Sequence, residues 1–290
     1  MSNGESAWAM PRGRGESRSR ERLAAHYRVE RGIADRIRAA AGAEERRRIF
    51  ATMYDDLFRE VPDHPRLLSK ESDPGERDRD IDWDMAQLRP YLRPGSTFLE
   101  IGAGDCALSA RVAQTAGKVY AVDVSDQKRQ KLPANVETVI TDGRSVPVPP
   151  GSVDLAFSDQ LMEHLHPDDA VEQLRNIHRA LKPGGVYVCI TPNSLYGPSD
   201  ISAYFSDVAC GFHLKEYTLR EVRQIFAAAG FPRLHAYVGA RGWFMQFPGA
   251  ILEALESVLC ALPARARRRI AALLPLRALL GLRVAAIRAP

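Results

Sequence analysis

The chain has 290 residues, of which 45% are apolar, 26% charged and 8% aromatic. These proportions are typical of a globular protein with one sizeable domain and additions, and they exclude global disorder, a collagen and a coiled coil. No apolar run reaches the roughly 18–20 residues of a membrane-spanning helix, and the four cysteines form neither a disulfide framework nor a zinc motif. We expect a cytoplasmic protein with reduced thiols.

The net charge of +4 is unevenly distributed along the chain. Residues 1–50 and 257–290 are basic, and the second of these segments has seven arginines and no acid, whereas residues 51–256 are acidic. A nucleic-acid-binding protein would carry its basic charge around the site itself. The acidic middle therefore disfavours a nucleic acid and favours a neutral or cationic small ligand.

Composition and hydrophobic periodicity along the chain predict five segments. Residues 1–19 are rich in Gly, Ser and Arg and predict a disordered tail, and residues 20–80 predict a helical N-terminal cap followed by an irregular connector from 61. Residues 81–242 form the predicted core, residues 243–281 a helical insertion, and residues 282–290 a last strand. Within the cap, one face of a helix is apolar: Ile49, Phe50, Met53, Tyr54, Leu57 and Phe58.

Within the core, short β-rich runs alternate with helical ones. Strands are predicted at 97–101, 118–122, 136–140, 152–157, 186–191 and 234–238, and helices at 107–116, 167–181 and 218–230. Such alternation indicates an α/β fold, in which helices cover both faces of a parallel sheet.

A glycine motif follows the first predicted strand. Residues 102–107, Gly-Ala-Gly-Asp-Cys-Ala, match the dinucleotide fingerprint, and Asp123 lies at about the distance expected of an acid that binds a ribose. The motif alone would suggest NAD. Carboxylates crowd the ends of four predicted strands, however, and would repel a diphosphate: Glu100, Asp105, Asp123, Asp142 and Asp159. They favour S-adenosylmethionine, which carries an ammonium and a sulfonium and no phosphate.

Four consecutive segments between 98 and 193 carry a family resemblance. FLEIGAGDCALSARVA, VYAVDVS, DGRSVPVPPGSVDLAFSDQLMEHLHPDD and LRNIHRALKPGGVYVCITPN resemble the ordered motifs of class I S-adenosylmethionine-dependent methyltransferases, most closely the ubiquinone-pathway and natural-product branch. The resemblance extends over roughly 95–240. It implies a Rossmann-like fold with a seven-stranded, mostly parallel sheet whose last strand is antiparallel.

The resemblance also implies a set of cofactor contacts. Asp123 would bind the ribose hydroxyls with Val124 against the adenine, and Asp142 would bind the adenine amino group beside Gly143. The methionine end and the sulfonium would contact six further residues: Glu100, Gly102, Gly104, Ser158, Asp159 and Gln160.

Catalysis needs a base if the methyl acceptor is a hydroxyl. His164, just after the fourth strand, is the main candidate, and His213 is the second. Some relatives bind a divalent metal through Glu-x-x-Glu-His and a later histidine, so Glu163, His164 and His213 are the alternative metal ligands. Metal is not favoured, because Gln160 stands where the first carboxylate of that pattern would be.

The predicted function is methyl transfer to a small molecule in the cytoplasm, on oxygen by preference and otherwise on nitrogen or carbon. The plausible acceptor walls are residues 49–68, including Arg66, the loop 196–212, and residues 243–245. A non-catalytic cofactor-binding protein and an NAD-linked oxidoreductase are the alternatives, and an RNA methyltransferase is disfavoured.

The helical N-terminus and residues 249–280 are natural surfaces for a homodimer. The arginines at 265 and 267–269 are typical of a solvated helix face, with a membrane surface or an acidic partner as the alternative.

Overall fold

A computed structural model describes residues 17–65, 74–125, 131–240 and 242–290. Most of the predicted tail, residues 1–16, and the acceptor-wall candidate Arg66 lie outside the described residues. Among the described residues, the long helices before the sheet are α1 (Arg20–Ala39), α2 (Ala43–Glu60) and α3 (Pro74–Leu88). The apolar face predicted for the cap belongs to α2, where Ile49, Phe50, Met53 and Leu57 are buried.

The described residues form one eight-stranded sheet in the order β3-β2-β1-β4-β5-β8-β6-β7. The strands are β1 (Thr97–Ile101), β2 (Lys118–Asp123), β3 (Val136–Ile140), β4 (Val153–Asp159), β5 (Leu181–Thr191), β6 (Arg233–Ala240), β7 (Trp243–Phe247) and β8 (Leu282–Ile287). Strands β1 to β5 pair in parallel, and β8 runs antiparallel between β5 and β6. The predicted α/β class, mostly parallel with an antiparallel last strand, is confirmed.

The sheet has one strand more than the seven predicted. Residues 243–281 are predicted as a helical insertion, but residues 243–247 form β7, which pairs antiparallel with β6. Five residues are too few to show the periodicity of a helix or a strand in the sequence. The segment forms a strand because the turn before it brings it back alongside β6. Similarly, the predicted irregular connector ends earlier than expected, because α3 begins at Pro74 and not after residue 80.

In the part of the chain that the structure describes, six further α-helices cover the sheet or extend from it: α4 (Ala107–Val112), α5 (Pro167–Ala180), α6 (Leu219–Ala228), α7 (Gly249–Cys260), α8 (Ala264–Ala271) and α9 (Leu274–Leu280). Their ends follow local chemistry. Pro167 opens α5, and Thr218 and Glu221 form a reciprocal capping box on α6. Apolar side chains pack on both faces of the sheet.

A buried ion pair joins the N-terminal cap to the core. Arg46 on α2 donates from Nε and Nη2 to the two carboxylate oxygens of Asp169 on α5, each at 2.6 Å, although 123 residues separate them in sequence. Both residues are buried. This bidentate pair fixes α2 over the carboxyl edge of the sheet.

Substituting Arg46 with Met is expected to lower the free energy of unfolding by about 3 kcal/mol, because Asp169 would remain as an uncompensated buried charge. Chemical denaturation followed by circular dichroism measures this loss. The double variant Arg46→Met/Asp169→Leu, which removes both charges, should recover much of the loss. Equal stability of the single variant and the wild type would contradict the role of the pair.

No helix among the described residues is both long and apolar enough to span a membrane.

Candidate functional site

A cavity of about 480 Å³ opens at the carboxyl edge of β1 and β2, under helix α2. Five residues predicted from the sequence line it: Gly102, Asp123, Val124, Gly143 and His164. Nine others complete the wall: Phe50, Met53, Tyr54, Ile101, Val122, Thr141, Leu161, Leu165 and Gln173. The wall is mostly apolar with a few polar groups, as is usual for small-molecule sites.

Asp123 organises the loops around this cavity. The Gly104 N–H donates to its Oδ2 at 2.7 Å, and the N–H groups of Val124 and Ser125 donate to Oδ1 at 2.7 and 3.1 Å. One carboxylate at the end of β2 therefore fixes the glycine loop after β1 as well as its own loop. The outer lone pairs of the same oxygens are acceptors suited to a diol.

Two glycines leave room that a side chain would fill. Gly102 and Gly143 have φ angles of +78° and +81°, which L side chains rarely adopt. A Cβ on Gly102 would lie 3.3 Å from Leu161, and one on Gly143 would lie 3.3 Å from Val124. The cavity keeps its width because these positions lack side chains.

Two of the five acids predicted to ring the site are neutralised by arginines. Asp105 binds Arg77 on α3 at 2.6 Å. Asp142 binds the Arg144 guanidinium at 3.2 Å and accepts two backbone N–H bonds, and these interactions lower its pKa although burial opposes them. The carboxylate of Asp142 stabilises its own turn, and its neighbours Thr141 and Gly143 line the cavity in its place.

The other acids form a denser cluster than the sequence indicates, because α3 contributes two more. Burial raises the pKa of Glu100 to about 8, against a hydrogen bond from Ser109, and Asp105 and Asp123 add to the rise. Desolvation by the surrounding protein also raises the pKa of Asp159, although part of its side chain is exposed to solvent. Burial and the charges of Asp159, Glu100 and Asp80 raise the pKa of Asp84 far above its ordinary range.

This acid cluster, defined as Asp80, Asp84, Glu100 and Asp159, is expected to destabilise the protein as the pH rises, because the pKa values of Asp84, Glu100 and Asp159 are raised. A carboxyl whose pKa is raised by folding stays protonated in the folded state, so the unfolded state releases its proton first and stability falls between the ordinary and the raised pKa. A bound cation would reverse this penalty, because it stabilises the ionised carboxylates. The cluster is therefore suited to an ammonium or sulfonium ligand.

Substituting Asp84 with Asn should test this directly. The variant is expected to be more stable than the wild type at pH 8 by at least about 1 kcal/mol, with a smaller difference at pH 5, because the ionisation penalty is removed. Thermal unfolding at the two pH values measures it. A variant less stable than the wild type at pH 8 would show that Asp84 is not held under charge repulsion.

Besides Glu100, Asp142 and Asp159, three more predicted cofactor residues lie apart from the cavity wall. Ser158 is fully buried, and its hydroxyl is hydrogen-bonded to Tyr187 at 2.7 Å. Gln160 is exposed with a φ of +48° at the end of β4. Gly104 lies in the loop that Asp123 holds. The Ser158 hydroxyl is thus occupied by Tyr187, and Gln160 lies beside Asp159, with its Nε2 3.4 Å from the Asp159 Oδ1.

The two candidate catalytic histidines lie together. The rings of His164 and His213 are edge to face with centroids 4.9 Å apart. His164 Nδ1 is 3.0 Å from the Phe212 carbonyl oxygen, which can only accept, so Nδ1 carries the proton and Nε2 is left as the basic nitrogen. His213 Nδ1 lies 2.7 Å from Glu216.

Glu163 completes this histidine cluster, defined as Glu163, His164 and His213. Ligand atoms of the three residues lie within 4.8 Å of one another. Burial raises the pKa of Glu163 to about 7, and His213 opposes the shift. Burial would lower the pKa of His213, but its hydrogen bond to Glu216 and the nearby carboxylates raise it. The surroundings of His213 therefore favour its protonated form more than those of an ordinary histidine, and His164, with Nδ1–H held by Phe212, remains the candidate base.

Helix α1 holds the loop that carries these groups. Glu30, buried on α1, accepts the Phe212 N–H at 3.2 Å and a hydrogen bond from His26 at 2.7 Å. Burial alone would raise the pKa of Glu30, but hydrogen bonds from His26 and His64 lower it to about 2. The carbonyl oxygen of Phe212 accepts a hydrogen bond from His164. Hydrogen bonds therefore connect Glu30 on α1, through the Phe212 backbone, to the candidate base.

A second cavity, of about 360 Å³, lies on the opposite face of the sheet beneath α3. Phe244, one of the predicted acceptor-wall residues, lines it with Tyr91, Tyr237 and Arg283. The Arg283 guanidinium lies over the Phe244 ring at 5.2 Å, and among the described residues its Nη1 has no hydrogen-bond partner. Trp243 and Met245 instead are exposed.

Comparison with known proteins relates the segment that carries this site to a protein family. A family model described as a methyltransferase domain matches residues 99–189, the segment from β1 to β5. A probable S-adenosylmethionine-dependent methyltransferase of Mycolicibacterium smegmatis is 28% identical over 141 residues, which cover 47% of this chain and 52% of the relative. The domain match and the named relatives support a class I S-adenosylmethionine-dependent methyltransferase.

Two further comparisons extend over more of this chain. An uncharacterized methyltransferase of Geobacillus kaustophilus is 26% identical over 67% of this chain and 87% of its own. The 1,6-didemethyltoxoflavin-N1-methyltransferase of Burkholderia thailandensis shares the fold, with a TM-score of 0.55 and 16% identity over 87% of this chain and 92% of that one. The chain spans less than two thirds of the length of most of the curated relatives it matches.

The domain match and the named relatives likewise support S-adenosylmethionine as the cofactor. The sequence places residues 49–68 among the acceptor walls, and Phe50, Met53 and Tyr54 of α2 do line the cavity. Sequence reasoning missed the acids of α3. Asp84 carries no signal in the sequence, because Glu100 and Asp159, whose charges act on it, come from distant segments.

Proposed function

We propose that this protein transfers a methyl group from S-adenosylmethionine to a small-molecule acceptor, with a hydroxyl as the preferred acceptor and nitrogen or carbon as the alternatives. One observation carries the proposal. His164 lines the cavity with its Nδ1 fixed by the Phe212 carbonyl oxygen, so that Nε2 is directed to act as a base.

The cofactor would be held by groups on three strand ends. Asp123 would accept from the ribose hydroxyls, Val124 and Gly143 would pack around the adenine, and Gly102 would leave space for the bound molecule. The acid cluster would bind the methionine ammonium. Bound S-adenosylmethionine supplies an electrophilic methyl group with a good leaving group, so alignment of two substrates can provide much of the rate.

The acceptor would lie between α2 and the histidine cluster. Tyr54, Phe50 and Met53 supply an apolar wall, and Arg46 holds their helix in place. His164 would take the hydroxyl proton onto Nε2, and the Phe212 carbonyl oxygen would stabilise the resulting charge on Nδ1–H. Helix α2 excludes water from this side of the cavity. A natural-product alcohol or phenol suits such a pocket, and a homodimer is compatible with the outer faces of α1 and α7.

The experiment is incubation of the full chain with methyl-labelled S-adenosylmethionine and a panel of small alcohols, phenols and amines, followed by mass spectrometry. Methylated oxygen in a small molecule is the expected result. Tight cofactor binding with no product on any acceptor class would favour a non-catalytic binding protein. Methylation confined to an added RNA would contradict the proposal.

A second candidate for the histidine cluster is a divalent metal site. Among the described residues, Glu163 Oε1 is buried without a hydrogen-bond partner, while its Oε2 accepts from Thr191 at 2.8 Å. Two imidazoles and one carboxylate suit Zn²⁺, Mn²⁺ or Fe²⁺ better than Mg²⁺. Hydrogen bonds to Phe212 and Glu216 on the two Nδ1 atoms would leave both Nε2 atoms as ligands.

Calorimetry with ZnCl₂ and MnCl₂ distinguishes the two roles. A metal site predicts stoichiometric binding that Glu163→Gln weakens, together with loss of activity in a chelator. The general-base proposal predicts activity that a chelator leaves unchanged.

A further inference from the structure

The corner between helices α8 and α9 exposes an unusual group of apolar side chains. Leu274 is 80% exposed, Leu273 57% and Ile270 37%. Ala272 and Pro275 are exposed as well, so four consecutive apolar residues, 272–275, face solvent. The Asp207 carboxylate binds Arg268 on α8. This contact brings the next residue, Val208, which is 68% exposed, near the corner as a further apolar side chain.

Exposed arginines lie on both helices of this corner, whereas Asp207, from a separate segment, pairs with Arg268. Arg265, Arg269 and Arg277 are exposed on α8 and α9. Residues 257–290 contain no Asp or Glu at all. The exposed apolar residues and the positive charge therefore occupy the same stretch of chain.

We infer that the α8–α9 corner docks the protein onto an anionic lipid surface, with the exposed leucines entering the interface and the arginines binding lipid headgroups. Charge complementarity selects an anionic surface, and the protruding leucines favour the acyl boundary of a bilayer over an acidic protein. Since no helix among the described residues can span a membrane, the contact would be interfacial.

The corner is connected through α9 and β8 to the edge of the sheet that carries the candidate functional site. Helix α9 leads directly into β8, whose first residues pair with the carboxyl end of β5. This is the edge of the sheet where Asp159 ends β4. Docking at the corner would hold this edge of the sheet close to the membrane. The inference concerns a surface and does not depend on methyl transfer.

The experiment is co-sedimentation of the full chain with vesicles of phosphatidylcholine containing phosphatidylglycerol, and with vesicles of phosphatidylcholine alone. Binding to the anionic vesicles alone is expected, and raising the salt concentration should weaken it. The Leu273→Ser/Leu274→Ser variant should reduce partitioning at least about tenfold. Each of Arg265→Gln, Arg269→Gln and Arg277→Gln should reduce it about fivefold.

The matched control is Ile140→Ser, which removes an exposed apolar side chain (55%) at the end of β3, an edge strand of the sheet on the side away from β8. It should bind vesicles like the wild type, and every variant should retain its affinity for S-adenosylhomocysteine, which shows that it is folded. Failure of the wild type to bind anionic vesicles would overturn the inference. So would equal binding by the leucine variant, or size-exclusion data in which that variant turns a dimer into a monomer.

Discussion

Substituting His164 with Ala is expected to lower kcat by about 10²- to 10⁴-fold while leaving the affinity for S-adenosylhomocysteine within about threefold of the wild type. In the proposed mechanism the imidazole receives the acceptor proton, and the proposed cofactor contacts lie on other residues of the cavity. Steady-state kinetics on the best acceptor, with calorimetry for the cofactor analogue, measures both quantities.

Two controls separate chemistry from structure in this experiment. Glu30→Gln keeps the shape of the α1 contact but weakens its hold on the Phe212 peptide, so it should lower kcat by less than His164→Ala does. An amine acceptor with a low pKa needs no base, and His164→Ala should affect its methylation little. A uniform loss on all acceptors, accompanied by weaker cofactor binding, would show that His164 only supports the wall.

Substituting Asp123 with Ala is expected to weaken binding of S-adenosylhomocysteine by about 10²- to 10⁴-fold, because two hydroxyl hydrogen bonds to a carboxylate are lost at once. The same carboxylate accepts from Gly104, Val124 and Ser125, so the variant also loosens the glycine loop. Isothermal calorimetry measures the dissociation constant.

The matched control for Asp123 is its replacement with Asn, which keeps one acceptor oxygen and loses the charge. An intermediate affinity is expected. Thermal unfolding of both variants shows how much of the loss comes from the loop. Wild-type affinity in Asp123→Ala would mean that the ribose is held elsewhere, and the assignment of this cavity to the adenosine half would be wrong.

The sequence predicts the sheet and the glycine motif well because both depend on local patterns. Alternating β-rich runs and helices with caps such as Thr218 and Glu221 specify elements without long-range information. The motif places Gly102 and Asp123 at neighbouring strand ends, and in a parallel sheet those ends meet at one edge. The resemblance to a family then supplied the ligand.

The charge of the site could not be predicted in the same way. The run that contains Asp80 and Asp84 alternates acids with arginines, as in a solvated helix, and only the packing of α3 over the strand ends brings these acids beside Glu100. Conversely, Arg77 and Arg144 neutralise two acids that the sequence counts as part of the ring. Side-chain pairing across distant segments decides which charges act.

The central claim is that a cluster of carboxylates binds a cationic methyl donor, and its most direct test is calorimetry of S-adenosylhomocysteine binding between pH 6 and 8. Because a bound ammonium favours ionised Glu100 and Asp159, binding should release protons, and affinity should rise with pH by at most about tenfold per unit for each proton released. Asp84→Asn should flatten that rise. Affinity that falls as the pH rises, or preferential binding of NAD, would contradict the account.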